Sequence, residues 1–199
     1  MAIVKDHAGE MNGAIDYRDF IKRNLPTIVQ IGSHDGVLGE EYGLQELLQE
    51  IKYFNLFLVE PLSPYFENLP IVYGKYGDSV SYCKHAITNV DGEYSMIENG
   101  CMSKVDPHGS IKVQSKTWNT FIKDSSIDTI DLLLLDCEGY EYQIIQSIDF
   151  SKITPKIIRY EYKHIDDKEG CDSFLKKIGY RIEYCKYDHT YNKVAIYEN

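Results

Sequence analysis

The chain has 199 residues, 43% hydrophobic and 26% charged, which suits one globular domain with a packed core. Its net charge of −10, from 31 acidic against 21 basic side chains, argues against a nucleic-acid partner, because phosphate affinity comes from concentrated Lys and Arg. No run approaches the roughly 18 apolar residues of a membrane span, and the opening MAIVKDHAGE lacks the apolar middle of a secretory signal, so a cytoplasmic protein with no membrane contact is expected.

No repeat or Pro/Gly/Ser-rich linker divides the chain, so residues 1–199 read as a single domain. Residues 1–27 form a short N-terminal cap with one helix over Asp16 to Asn24. Ile28 to Ile31 is a strand that breaks at Gly32. Leu44, Leu47, Leu48 and Ile51 recur at helical spacing, predicting an amphipathic helix from about Gly39 to Tyr53. Phe54 to Val59 is the second strand, stopped at Glu60-Pro61 because proline cannot donate to a ladder. Val80 to Ile87 is a third strand, followed by a turn at Asn89-Val90-Asp91-Gly92 whose Asp-Gly pair is a hairpin signal.

Glu98 to Ser110 is the least regular segment and, on that irregularity alone, a candidate lid over a ligand. Thr117 to Ile122 is a short helix. Ile130 to Leu135 is the clearest strand, its near-continuous apolarity implying burial on both faces. Tyr140, Ile144, Ile145 and Ile148 mark a helix, Pro155 to Tyr162 a strand, and Phe174, Leu175 and Ile178 a helix closed by Gly179. Tyr180 to Tyr184 and Lys193 to Tyr197 follow with no helix between them and should pair antiparallel. The sum is an open α/β sheet of about seven strands, whose ligands belong at the carboxyl ends.

Three constellations fall there. Gly32-Ser33-His34-Asp35-Gly36 is a glycine-punctuated strand-to-helix turn, but its spacing is not the GxGxxG of dinucleotide binding. Glu60 closes the second strand, where a carboxylate can accept both ribose hydroxyls of a nucleoside. Asp136 and Glu138 follow the most buried strand, two apart and so facing one side, while Glu141 suits a helix N-terminus. The five cysteines are scattered without a CxxC, as expected of reduced thiols.

Together, IVQIGSHDGVLGEE, LFLVEP, AITNVDGEY and KTWNTFIKDSSIDTIDLLLLDCEGYEYQIIQSID make the chain resemble the FkbM family of S-adenosylmethionine-dependent methyltransferases from about Ile28 to Glu161. The resemblance implies a class I methyltransferase-like, Rossmann-like three-layer sandwich, with a seven-stranded mostly parallel sheet ending in an antiparallel hairpin. It implies O-methylation of a hydroxyl on a small molecule or glycan. Gln30, Gly32, Ser33, Asp35 and Gly36 would serve the methionine part of the cofactor, Glu60 and Pro61 the ribose, Ala86 and Ile87 the adenine, and Asp136 the methionine amine. Gln30 departs from the family, which usually has an acid there.

A hydroxyl acceptor must lose a proton, so a general base is needed. Glu138 is the first candidate, with Glu161 and Asp136 beside it; His34 is another, and His164 reads as an exposed loop histidine. Asp136, Glu138, Glu161 and His164 would suit a divalent cation, but no ligand spacing is diagnostic and no metal is assigned. An NAD-dependent oxidoreductase and a non-catalytic nucleoside-binding module are the alternatives. The short N-terminal cap leaves room for a second copy of the chain to complete the site.

Overall fold

The computed structural model describes residues 14–21, 24–37, 43–186 and 191–198. The elements that build its two sheets are, in chain order, β1 (Thr27–Ile31), α1 (Leu44–Glu50), β2 (Asn55–Val59), α2 (Ser63–Phe66), α3 (Leu69–Tyr73), β3 (Val80–Cys83) and β4 (Ala86–Thr88). They continue with β5 (Gly92–Ile97), β6 (Lys104–Val105), β7 (Ile111–Thr117), α4 (Trp118–Asp124), β8 (Leu132–Leu135) and α5 (Glu141–Ser147). The chain then runs through β9 (Ile157–Glu161), α6 (Lys168–Ile178), β10 (Tyr180–Tyr184) and β11 (Asn192–Tyr197).

The main sheet has seven strands in the order β10-β11-β9-β8-β1-β2-β3. β1 pairs parallel with β2 and β8, β2 with β3, and β8 with β9. β11 runs antiparallel to both β9 and β10, the expected terminal hairpin. The register explains why the central strands are apolar throughout. Ile28, Leu132 and Ile157 stand abreast in the core on one face, and Val29, Leu133 and Ile158 in the core on the other. Alternate residues therefore face opposite helical layers, and all four leucines of β8 are buried.

β8 meets β1 at the chain reversal that positions any ligand, since β2 and β3 lie to one side of β1 and β9 lies beyond β8. α6 ends as expected at Gly179, whose φ of 116° lets its N–H reach Leu175 and Lys176 carbonyls.

Four expectations are corrected. The stretch Val80 to Ile87 is two strands: β3 stops where Glu60 N–H takes the Cys83 carbonyl at 3.1 Å, because Pro61 cannot extend the ladder, and β4 leaves for a second sheet. That sheet has the order β4-β7-β5-β6, so β4 and β5 do not form a hairpin but flank β7. The Asp91 carboxylate instead accepts from Thr117 N–H at 2.7 Å and from the Thr120 hydroxyl at 2.9 Å, tying the turn to the start of α4.

The irregular segment from Glu98 to Ser110 holds β6, which makes a hairpin with β5. Finally, of the helix expected from Asp16 to Asn24, residues 22 and 23 lie outside the described residues; the described part is a 3-10 turn over Tyr17–Phe20, capped by Asp16 and ended where Ile21 turns extended, with Tyr17 buried in the core. Of the helix expected from Gly39 to Tyr53, residues 39–42 lie outside the described residues; α1 ends at Glu50, where Ile51 turns extended.

Candidate active site

A cavity of about 380 Å³ opens at the carboxyl ends of β1, β2, β8 and β9, roofed by the second sheet. That is within the size range of small-molecule ligand sites. At the β1 corner, Gly32 has φ 81° and its N–H donates to the Val59 carbonyl at 3.0 Å. Gly32 and His34 line the cavity; Gln30, Ser33, Asp35 and Gly36 do not.

Each of those four has a physical reason to lie elsewhere. The Ser33 hydroxyl donates to the Gln30 carbonyl at 3.2 Å and accepts from Val59 N–H at 3.1 Å, stitching β1 to β2. The Asp35 carboxylate accepts from Val37 N–H at 2.9 Å. Gly36 is needed for packing, since a Cβ there would come within 2.7 Å of the Tyr73 ring. Gln30 alternates with Val29 and Ile31 and so points into the core that holds Ile28, its side-chain oxygen without a hydrogen-bond partner among the described residues.

Glu60 sits in the lining at 5% exposure. One carboxylate oxygen accepts from Leu62 N–H at 2.9 Å and the other from His34 N–H at 3.0 Å. Burial pushes its carboxyl up to about 7, opposed by those two bonds. His34 stacks on Tyr65 with ring centroids 3.8 Å apart. Pro61, Leu62, Ala86, Ile87 and Met96 supply an apolar wall beside them.

The opposite wall is charged. Asp136 follows β8, its N–H donating to the Ile31 carbonyl at 3.0 Å, and its side chain lies in the lining. Glu138 takes φ 53°, a left-handed conformation that costs a non-glycine residue about 1–3 kcal/mol and is retained where the surroundings demand it. Gly139 packs so closely on the next loop that a Cβ would lie 2.8 Å from the His164 carbonyl oxygen.

Both loops thus meet, and His164 Nδ1 lies 2.7 Å from Glu138 Oε2 and 3.1 Å from Glu161 Oε2. Hydrogen-bond geometry is met toward Glu161, while the shorter approach to Glu138 is off line. His164 is therefore not an exposed loop residue: it is three-quarters buried between two carboxylates. Burial, then the neighbouring Asp136 and Glu138, push the Glu161 carboxyl up to about 7, with His164 pulling the other way. Burial and Asp136 likewise raise Glu138.

Glu141 stands in the first turn of α5, the helix N-terminus expected for it, and is fully buried there. Its two oxygens accept from Cys137 N–H and Gly139 N–H, shaping the loop that carries Asp136 and Glu138, and burial pushes its carboxyl up to about 8. No local sequence signal marks that burial. The donor atoms of Glu138, Glu161 and His164 lie within 4.8 Å of one another, as do those of Asp136, Glu141 and Glu161, but Glu141 is already committed to backbone. Gly100, Cys101, Met102 and Ser103, at the β5–β6 turn, form the rim.

The family model described as the methyltransferase FkbM domain matches residues 30–187, most of the chain. No curated protein matches the chain. Among solved structures it is similar to precorrin-6y C5,15-methyltransferase from Geobacter metallireducens, with TM-score 0.54 and 11% identity over 92% of this chain and 86% of that one. M. capricolum TrmK in complex with S-adenosyl-homocysteine gives TM-score 0.51 and 13% identity over 90% of this chain and 64% of that one. A putative class I S-adenosylmethionine-dependent methyltransferase from Listeria monocytogenes gives TM-score 0.50 and 10% identity over 92% and 56%. The shared feature is the fold, a class I methyltransferase sheet.

Proposed function

We propose, for a chain that belongs to the FkbM family of methyltransferases, that it moves the methyl group of S-adenosylmethionine onto a hydroxyl oxygen of a small molecule or glycan. One observation carries the choice of a hydroxyl: the Glu138–His164–Glu161 cluster beside Asp136 at the charged end of the cavity. A hydroxyl must shed its proton as it reacts, and a cluster of carboxylates around an imidazole is suited to accept it.

The residues present fit the cofactor. Each Glu60 oxygen holds one backbone N–H and keeps a second lone pair for a ribose hydroxyl. The apolar wall of Leu62, Ala86 and Ile87 suits an adenine ring, and Asp136 the methionine amine. When bound, the cofactor supplies an electrophilic methyl on a sulfonium sulfur. The protein's part is to hold donor and acceptor in line, exclude water and take the proton. Gln30 is buried beneath the turn and carries no charge where the family usually has an acid.

Calorimetric titration of the protein with S-adenosylmethionine, S-adenosylhomocysteine and NAD, each alone, tests this reading. Micromolar binding of the first two and none of NAD is the expected result; binding of NAD alone would replace it with an oxidoreductase. A screen of hydroxylated acceptors, read by S-adenosylhomocysteine release, then addresses the oxygen.

A further inference from the structure

We infer that His164, rather than a carboxylate, receives the acceptor's proton, through Nε2. This rests on the hydroxyl-methylation reading above and assigns the base within it. Nδ1 is turned toward Glu138 Oε2 at 2.7 Å and Glu161 Oε2 at 3.1 Å. A carboxylate accepting from Nδ1 requires the proton to sit there, which leaves Nε2 with its lone pair. His164 lines the cavity, and Nε2 has no hydrogen-bond partner among the described residues.

Among the described residues, the other ionisable side chains facing this end include Asp136 and Lys163 in the lining and the buried Glu141, whose carboxylate lies within 4.8 Å of those of Asp136 and Glu161. Three features hold the imidazole rather than let it swing. Glu138 accepts a left-handed backbone to aim its carboxylate, Gly139 lets the β8 loop close on the His164 carbonyl, and Glu141 ties that loop down from beneath. A nucleophile–base–orienter arrangement of this kind is how a neutral imidazole is poised as a base.

The step balances as follows. The acceptor O–H bond breaks and its proton passes to Nε2. The acceptor oxygen bonds to the methyl carbon as the carbon–sulfur bond breaks, and sulfur keeps that electron pair. The imidazolium formed is neutralised by the adjoining carboxylates and passes its proton to water on product release.

Nitrogen NMR of protein labelled in its histidine rings tests the assignment without an acceptor. The His164 signals are identified by their loss in His164→Gln. The neutral ring is expected as the Nδ1–H tautomer, with Nε2 unprotonated, and the ratio of tautomers is expected to invert toward Nε2–H in the double variant Glu138→Gln/Glu161→Gln. Wild-type protein with Nε2 protonated would overturn the proposal. So would selective broadening of the His164 signals by equimolar Mn²⁺, reversed by chelator, because the three side chains would then be serving a cation. Calorimetry of the same sample with S-adenosylmethionine keeps the two readings apart: protein that binds it but carries the wrong tautomer loses the His164 assignment alone.

Discussion

Gly32 and Asp136 are in backbone contact: a Cβ on Gly32 would fall 1.8 Å from the Asp136 carbonyl oxygen. The two loops that build the site, after β1 and after β8, are pinned together there, and the Asp136 N–H completes the contact by donating to the Ile31 carbonyl at 3.0 Å. Glycine at 32 is demanded twice, by this approach and by φ 81°. Gly32→Ala is expected to cost about 3 kcal/mol or more, from positive-φ strain plus displacement of the β8 loop. Urea unfolding measures it; a loss under about 1 kcal/mol would mean that the two loops move apart freely.

Glu60→Gln is expected to weaken S-adenosylmethionine binding by on the order of tenfold to a hundredfold, the worth of hydrogen bonds to a charged acceptor. The affinity of the unmodified protein should also rise with pH through about 7, where burial has moved the Glu60 carboxyl, because the ionised form accepts both ribose hydroxyls. Calorimetry at pH 6 and pH 8 reads both effects. Equal affinity in Glu60→Gln would remove Glu60 from the ribose.

Three buried carboxyls set the pH dependence of stability. Glu60 and Glu161 are raised to about 7 and Glu141 to about 8, from a value of 4.5. Between about pH 4.5 and 8 the folded chain therefore holds protons that the unfolded chain has released, so stability falls as pH rises through that window and levels off above it. Thermal unfolding should give a higher Tm at pH 5.5 than at pH 8.5. The reverse order would mean that these groups are ionised at little cost in the fold.

Glu138→Gln and Glu161→Gln should each lower turnover by on the order of a hundredfold while S-adenosylmethionine affinity stays within about twofold, as befits groups that serve proton transfer. The larger effect is expected for Glu161, because its hydrogen-bond geometry to Nδ1 is the one satisfied. Loss of cofactor binding in either variant would make the cluster part of the cofactor site instead.

Cys101 is exposed, whereas Cys83 and Cys137 are half-buried and Cys171 and Cys185 buried. One thiol should therefore react quickly with iodoacetamide. As Cys101 stands on the cavity rim, S-adenosylhomocysteine is expected to slow that reaction by about threefold or more through steric cover of the β5–β6 turn. An unchanged rate would show that the turn does not close over the ligand.

The main sheet was legible because its strands announce themselves locally. Leu132 to Leu135 must be buried on both faces, Glu60-Pro61 must end β2, and Gly179 must end α6. The second sheet was not. β7 alternates Ile111, Val113 and Ser115 with Lys112, Gln114 and Lys116, a period of two that marks a strand but not its partners. Asp91-Gly92 looked like a hairpin because the local signal is the same whether the flanking strands pair with each other or with a third that comes later.

The sequence alone determined an open α/β sheet, the carboxyl edge as the place for a ligand, and the position of Glu60 and Asp136 at strand ends there, because each depends on where an apolar run stops. Only the tertiary structure decided that the Ser33 and Asp35 side chains bond to nearby backbone while Gly36 packs on Tyr73, that Glu141 is a buried clamp, and that His164 lies between Glu138 and Glu161. Those outcomes turn on which loops touch across the sheet edge, and a contact between residues far apart in the chain leaves no periodicity in either of them.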